Sequence, residues 1–265
     1  MMTELAGRTA LVTGGGRGIG KAISMRLAGA GAAVAVNYRR DAAAATTTVE
    51  EITATGGRAS AFQASIDDPL AVETLVDSVL AEFGVVDIVV SNAGIASRGH
   101  SLADTDPAEL ERLMRTHVLG PHQLVQRLLP QLRTQPRGDI VMISSVLAER
   151  AVPGAGPYMM AKLALEAMAA TLAVEEMPNG IHANVVAPGL VATEMGDRIV
   201  RAAHPGLNRS TELDERAPYG RVCRPEDVAD VVAFLVSADA SYVNGQRIGV
   251  NGGGGFAQLV RGDRG

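Results

Sequence analysis

The chain lacks the groups that would commit it to several common roles. It has a single cysteine, Cys223, in 265 residues. That excludes an internal disulfide and a cysteine-cluster metal site, and the lone thiol reads as unreactive. His100, His122, His182 and His204 show no metal-ligand spacing, so no metal is expected. The formal net charge is −5, without a block of like charge, which argues against a nucleic-acid surface. No apolar run approaches the length of a membrane span. The opening residues, MMTELAGR, are polar and carry no apolar secretory core. There is no linker, no fixed-period repeat and no low-complexity tract beyond short alanine and glycine runs. These absences predict one soluble, cytoplasmic domain over 1–265, with neither nucleic acid nor membrane as partner.

What is present is apolar and rhythmic. Hydrophobic residues make up 47% of the chain, ample for a sizeable core. Short apolar runs read as strands: TALVT, AAVAVNY, RASAFQA, VDIVVSNAG, DIVMISS, HANVVAP and QRIGV. Helical patterns fall between them, at 20–31, 42–55, 69–83, 107–132, 157–177 and 225–236. Alternation of continuous apolar strands with helices predicts an α/β fold, a Rossmann-like doubly wound parallel sheet of about seven strands covered on both faces.

The run from Gly14 to Gly20 is broken only by Arg17 and Ile19, and it lies between the first strand and the first helix. Such a strand–glycine turn–helix unit is a phosphate-binding element. Gly14 can take the positive φ of the turn. Gly18 lets a pyrophosphate approach the helix N-terminus, where free N–H groups and the dipole favour an anion. Gly20 lets helix and strand pack closely.

The spacing is Thr13-Gly14-x-x-x-Gly18-Ile19-Gly20. It is followed in order by Asn92-Ala93-Gly94, Ser144-Ser145, Tyr158-x-x-x-Lys162, Pro188-Gly189, Thr193, RPEDVA at 224–229 and SYVNGQRIGVNGG at 241–253. In this set, spread over nearly the whole chain, the sequence resembles the short-chain dehydrogenases/reductases in their single-domain form, including 3-oxoacyl-thioester reductases. The resemblance implies an oxidoreductase that moves a hydride between nicotinamide and a ketone or secondary alcohol. It implies a cofactor site built from Thr13, Gly14, Gly16, Arg17, Gly18, Ile19, Gly20, Tyr38, Arg39, Ser65, Ile66, Asn92, Ala93, Gly94, Tyr158, Lys162, Pro188, Gly189 and Thr193. A non-catalytic dinucleotide-binding or scaffold protein on the same fold is the alternative.

Tyr158 and Lys162 stand one helical turn apart and project from one face. A phenol near pKa 10 is too weak an acid for neutral pH, and a nearby ammonium lowers that value. Lys162 is therefore expected to tune Tyr158. Ser145 ends a strand at the sheet edge where ligands bind. The family's roles are Tyr158 as general acid/base, Ser145 orienting the substrate, and Lys162 also holding the nicotinamide ribose.

The second strand ends at Tyr38, followed by Arg39 and Arg40, where NAD-preferring relatives carry an acidic residue. Arg17 lies inside the glycine loop. Two guanidiniums near one phosphate site suit a 2′-phosphate, so NADP(H) is the favoured cofactor and NAD(H) the alternative. Asp41 reads instead as a helix N-cap. Ser65 replaces the family's usual aspartate after the third strand, which leaves the backbone of Ile66 for the adenine.

One departure from the family bears on catalysis. The family's asparagine, whose main-chain carbonyl holds a water linking the lysine to solvent and whose side chain stabilises a local kink, is His117 here, three residues before Gly120. An imidazole can supply one N–H in place of the amide. Residues 190–217 are expected to form a substrate lid, with 95–100 and 147–152 as further walls. Arg98, Glu149 and Arg150 face solvent or substrate, undecided. The segment 225–250 is expected to pack against a symmetry mate in a homotetramer or homodimer, and the tail 256–265 to be poorly ordered.

Overall fold

The computed structural model describes residues 5–253. Seven strands form one parallel sheet: β1 (Thr9–Val12), β2 (Ala33–Tyr38), β3 (Ala59–Gln63), β4 (Ile88–Ser91), β5 (Gly138–Ile143), β6 (Ile181–Pro188) and β7 (Arg247–Val250). Their spatial order is β3-β2-β1-β4-β5-β6-β7. The order reverses between β1 and β4, which register Ala10 against Ile88 and Val12 against Val90. That reversal opens the crevice where such sheets bind ligands.

The strands are buried on both faces because their side chains alternate between two apolar clusters. Val12, Val34, Val36, Val90 and Val141 point to one side. There they meet Ile23 and Leu27 of α1 (Gly18–Gly29) and Val228 and Val232 of α8 (Pro225–Leu235). Leu11, Ala35, Val89, Ile140 and Met142 point to the other. They pack on α3 (Pro69–Phe83), α5 (Gly120–Leu132) and α6 (Gly156–Glu175) through Val72, Leu75, Leu124, Leu128 and Leu165.

Aspartates start three of the helices. Asp41 accepts from Ala44 N at 3.0 Å at the head of α2 (Ala42–Ala54). Asp68 and Asp106 do the same for α3 and for α4 (Pro107–Met114), each followed by proline at the first helical position. Each cap is worth about 1 kcal/mol. Among the described residues, no helix is long and apolar enough to cross a membrane.

One expectation needs correction, and one segment has more structure than the sequence suggested. The pattern at 107–132 is not one α-helix: a π-helical turn, Arg115–Leu119, separates α4 from α5. And the segment 190–217 carries its own helix, α7 (Glu194–Ala203), followed by 3-10 turns. Leu190, Val200, Leu213, Ala217 and Val222 form a small apolar cluster beneath it. Asp197 ties it further, accepting from both the main chain and the hydroxyl of Ser210 at 2.7 Å. The expected tail, 256–265, lies outside the described residues.

Candidate active site

The glycine loop leaves β1 and enters α1 with its carbonyls already engaged. Ser24 donates to Gly15 O and Thr48 to Gly16 O, both at 3.1 Å. Gly14 has φ +62°, and a Cβ on Gly20 would lie 2.1 Å from Gly14 O. Only glycine allows α1 to start this close to the strand. Unlike α2, α3 and α4, helix α1 has no side-chain cap; its N-cap is Arg17. The first-turn N–H groups of a helix have no intrahelical partner, so this end presents donors and positive dipole to an anion.

Thr13 and Asn92 are committed to each other. The Thr13 hydroxyl accepts from Asn92 N at 2.9 Å and Ala93 N at 3.0 Å, while Asn92 Nδ2 donates to Thr13 O at 2.9 Å. The two motifs thus staple the ends of β1 and β4 and hold the loop between them. Asn37 completes the staple, though nothing in the motif pattern singled it out. Buried at the end of β2, it accepts from Gly14 N at 3.3 Å and donates to Phe62 O and Ala64 O. Its only sequence signal is a lone amide in an apolar strand.

The two arginines expected at a 2′-phosphate each face a carboxylate. Arg17 pairs with Glu194 of α7 at 3.0 Å, and Arg39 approaches Asp67 at 4.0 Å. Ser65 also hydrogen-bonds Asp67, so a carboxylate does follow β3, two residues later than the family's pattern. Tyr38 is half-buried at the end of β2. Ile66 is buried, and its carbonyl lies where a Cβ on Gly120 would be, 2.0 Å away. Pro188 ends β6, and Gly189 N donates to Val250 O at 3.0 Å. Thr193 is the N-cap of α7, its hydroxyl accepting from Gly196 N at 3.1 Å. Gly18 faces its methyl group, so the segment after β6 begins directly over the glycine loop.

Ser145, Tyr158, Lys162 and His117 converge at the same sheet edge. Ser145 follows β5 in an extended conformation and caps a short 3-10 turn, accepting from Leu147 N at 3.2 Å. It also hydrogen-bonds the Tyr158 phenol. Lys162 Nζ lies 5.6 Å from the Tyr158 ring centroid and donates to Ile143 O at 2.7 Å. The His117 ring meets the tyrosine edge-on, 5.4 Å between centroids. Its Nε2 sits 2.8 Å from Ile95 O.

The electrostatics differ from the sequence expectation in one respect. Lys162 does not pull the phenol down here. Desolvation pushes Tyr158 up to about 12, against the smaller effect of the Ser145 hydrogen bond. Burial lowers Lys162 to about 7, opposed by the carboxylate of Glu166. The ammonium is therefore only partly charged at neutral pH, and its hydrogen bond goes to Ile143. Burial, then the Lys162 charge, lowers His117 to about 3, so the imidazole is neutral. Cys223 is pushed up to about 12, first by burial and then by Asp227, and remains a thiol.

Among the described residues no cluster could hold a metal ion. The groups at this edge can donate a proton, hydrogen-bond a carbonyl oxygen and receive a dinucleotide's phosphates. The neighbours of this chain fit that chemistry. Residues 14–254 match the family profile described as enoyl-(acyl carrier protein) reductase. Versicolorin reductase stcU of Emericella nidulans is 40% identical over 257 residues, covering 94% of this chain and 96% of its own. The 3-oxoacyl-[acyl-carrier-protein] reductase FabG of Staphylococcus aureus is 36% identical, covering 93% and 97%. A short-chain dehydrogenase of Burkholderia cenocepacia, solved in complex with NADP, superposes with a TM-score of 0.85 at 37% identity, covering 94% and 98%. With its parallel seven-stranded sheet, its glycine loop and relatives of this similarity over nearly its full length, the chain belongs to the short-chain dehydrogenase/reductase family of oxidoreductases.

Proposed function

We propose that this enzyme is an NADP(H)-dependent reductase of ketones, working also in reverse on secondary alcohols, with Tyr158 as its general acid. The observation that carries the reading is the phenol itself. It hydrogen-bonds Ser145, and the Lys162 ammonium lies 5.6 Å from its ring. Raised to about 12, the phenol keeps its proton at neutral pH but is by itself a weak acid, so proton transfer requires positive charge on Lys162 to stabilise the phenolate left behind. Relatives named as reductases of a versicolorin and of a 3-oxoacyl thioester support the same class of substrate.

The residues at the loop fit a dinucleotide: a helix N-terminus without a cap, a backbone that closes only around glycine, and two arginines nearby. Gly14, Gly16, Gly18, Ile19 and Gly20 would take the pyrophosphate, and Ala93, Gly94, Ile66 and Gly189 would border the rest. Bound there, the nicotinamide supplies the hydride that adds to the carbonyl carbon. Ser145 hydrogen-bonds the carbonyl oxygen and orients it. Tyr158 gives its proton to that oxygen as negative charge develops. Lys162 then offsets the charge left on the phenolate, which makes its own proton the next one needed. Helix α7 and the turns up to residue 217 close over this edge as a substrate lid, within one functional domain over 1–265.

The 2′-phosphate is assigned to Arg17 and Arg39. Arg17 sits in an exposed carboxylate pair and Arg39 in a long, partly exposed one; surface pairs of this kind are worth about 0–1 kcal/mol. Charge-assisted bonds to a phosphate are worth about 1.5–3 kcal/mol each, so the phosphate displaces the carboxylates. NADPH is expected to bind at least about tenfold more tightly than NADH. Arg17→Ala with Arg39→Ala narrows the gap, chiefly by weakening NADPH. Fluorescence titration with both cofactors measures this; equal affinities in the parent protein overturn the assignment.

The enzyme assembles as a homotetramer or homodimer through α8 and β7. Phe234 and Tyr242 on that segment are exposed apolar side chains, and burying them against a second copy removes them from water. Light scattering at micromolar concentration is expected to give a dimer or tetramer mass, and a monomer mass refutes the assembly.

A further inference from the structure

A charged cluster lies directly behind Ser145. Arg247 opens β7 and its guanidinium makes three contacts. Nε donates to Glu166 Oε1 at 3.0 Å, Nη1 to Glu149 Oε1 at 2.6 Å, and Nη2 to the main-chain carbonyl of Ser145 at 3.1 Å. Glu166 Oε1 also accepts from the Ser144 hydroxyl at 2.5 Å. The Arg247 and Glu166 side chains are 22% and 16% exposed, so the pair is shielded but not dry. Glu166 stands one turn beyond Lys162 on α6.

The cluster grips both serines at the end of β5. Ser144 is held through its hydroxyl and Ser145 through its carbonyl, by two side chains that are themselves paired. A guanidinium fork fixes such geometry because its donors are rigid and planar. Ser145 follows the end of β5, and its carbonyl is held by Arg247 as well as by Ala148 N of the following 3-10 turn.

We propose that Arg247 and Glu166 are positioning residues for the reduction. Arg247 fixes the main chain that aims the Ser145 hydroxyl. Glu166, itself held by Arg247 and Ser144, keeps a carboxylate beside the Lys162 ammonium. The first half rests on the functional reading above; the second is a property of the protein alone.

Lys162 faces Tyr158 and Glu166 on its own helix, the Ile143 carbonyl from β5 and His117 from the π-turn. Arg247 on β7 and Glu149 after β5 complete the charged groups of the cluster. Tyr158 and His117 are neutral around pH 7. The charge that answers Lys162 is thus the Glu166 carboxylate, moderated by Arg247. Removing the carboxylate favours the neutral amine; removing the guanidinium favours the ammonium. The two changes have opposite signs, which a role limited to tying β7 to α6 does not produce.

The chain has only two lysines, Lys21 and Lys162, so carbon-13 labelling of lysine gives one signal from each. In an NMR pH titration of the full-length protein, Glu166→Gln is expected to lower the Lys162 midpoint by about half a unit or more, and Arg247→Met to raise it by a similar amount. Lys21, paired with Glu51 far from this cluster, serves as the internal reference. Shifts of the same sign, or none, overturn the charge coupling. Should Arg247→Met fail to fold, the near-isosteric Glu166→Gln decides it alone. For positioning, Arg247→Met is expected to lower kcat about tenfold on a ketone that the parent reduces, with NADPH affinity unchanged and Arg247→Lys recovering part of the loss. Parental kcat in Arg247→Met overturns this half. The functional reading fails by a separate sign, parental turnover in Tyr158→Phe.

Discussion

Replacing Tyr158 by phenylalanine is expected to lower ketone turnover about a hundredfold or more, the scale on which a positioned general acid contributes. The variant removes one oxygen and leaves the ring. The edge-on contact with His117, 5.4 Å between centroids, is retained, as is the helix that carries both Tyr158 and Lys162. Stability should therefore change little, and NADPH should bind as before, because no phosphate contact is assigned to the phenol. What disappears is the phenolic proton beside the Ser145 hydroxyl. Ser145 can still polarise the carbonyl, but a serine hydroxyl has no lysine behind it to offset an alkoxide. Turnover and cofactor affinity measured on one preparation test the point. Parental turnover in the phenylalanine variant would remove Tyr158 from the mechanism.

Much of the fold was legible because it rests on local signals. Helix α3 begins at Pro69 after Asp68 and ends at Phe83 before Gly84, as its cap, its apolar stripe and its glycine predict. The strands announce themselves as apolar runs because both faces are covered. The π-turn was legible only as the local kink that the family resemblance places at His117. An extra residue in one helical turn leaves no mark on periodicity over so short a span. Helix α7 was missed for a different reason. It is short, only Gly196 and Val200 of its ten residues are buried, and its apolar face is set among four charged residues, so it does not read as a core helix.

At the site, motif spacing named residues that the fold brings to one sheet edge but could not distinguish contact from support. Thr13 and Asn92 border the crevice at the sheet edge, yet their side chains spend their hydrogen bonds on the loop itself. Asn37, Glu166 and Arg247 hold the site through partners remote in sequence, and no spacing rule reaches them. The expected effect of Lys162 on Tyr158 failed on magnitude. The reasoning counted a nearby charge and left out desolvation, which acts on both groups and weakens the charge itself.

The same balance decides what to expect of His117. Held near pKa 3, the imidazole is neutral throughout the working range and carries one N–H. Nε2 lies 2.8 Å from Ile95 O and 3.3 Å from Ile95 N, and the shorter contact favours the tautomer in which Nε2 donates to the carbonyl. Nδ1 is then an acceptor, buried without a partner among the described residues. His117 thus does for the 95–100 loop what one amide N–H would do, so His117→Asn should leave turnover within about threefold. His117→Leu removes the donor and leaves the Ile95 carbonyl unpaired beside an apolar side chain, at a cost of about 1–3 kcal/mol. If that cost falls on the geometry around Tyr158, turnover drops about tenfold to a hundredfold. Both variants should keep the parental affinity for NADPH. The parent and His117→Asn should also share one pH profile between 5 and 8, since a histidine that protonates only near pH 3 contributes no limb there. An acid limb present in the parent and absent from the asparagine variant would show a titrating imidazole, contrary to the buried, neutral ring described above. Parental turnover in His117→Leu would show that the hydrogen bond to Ile95 does not support the reactive geometry.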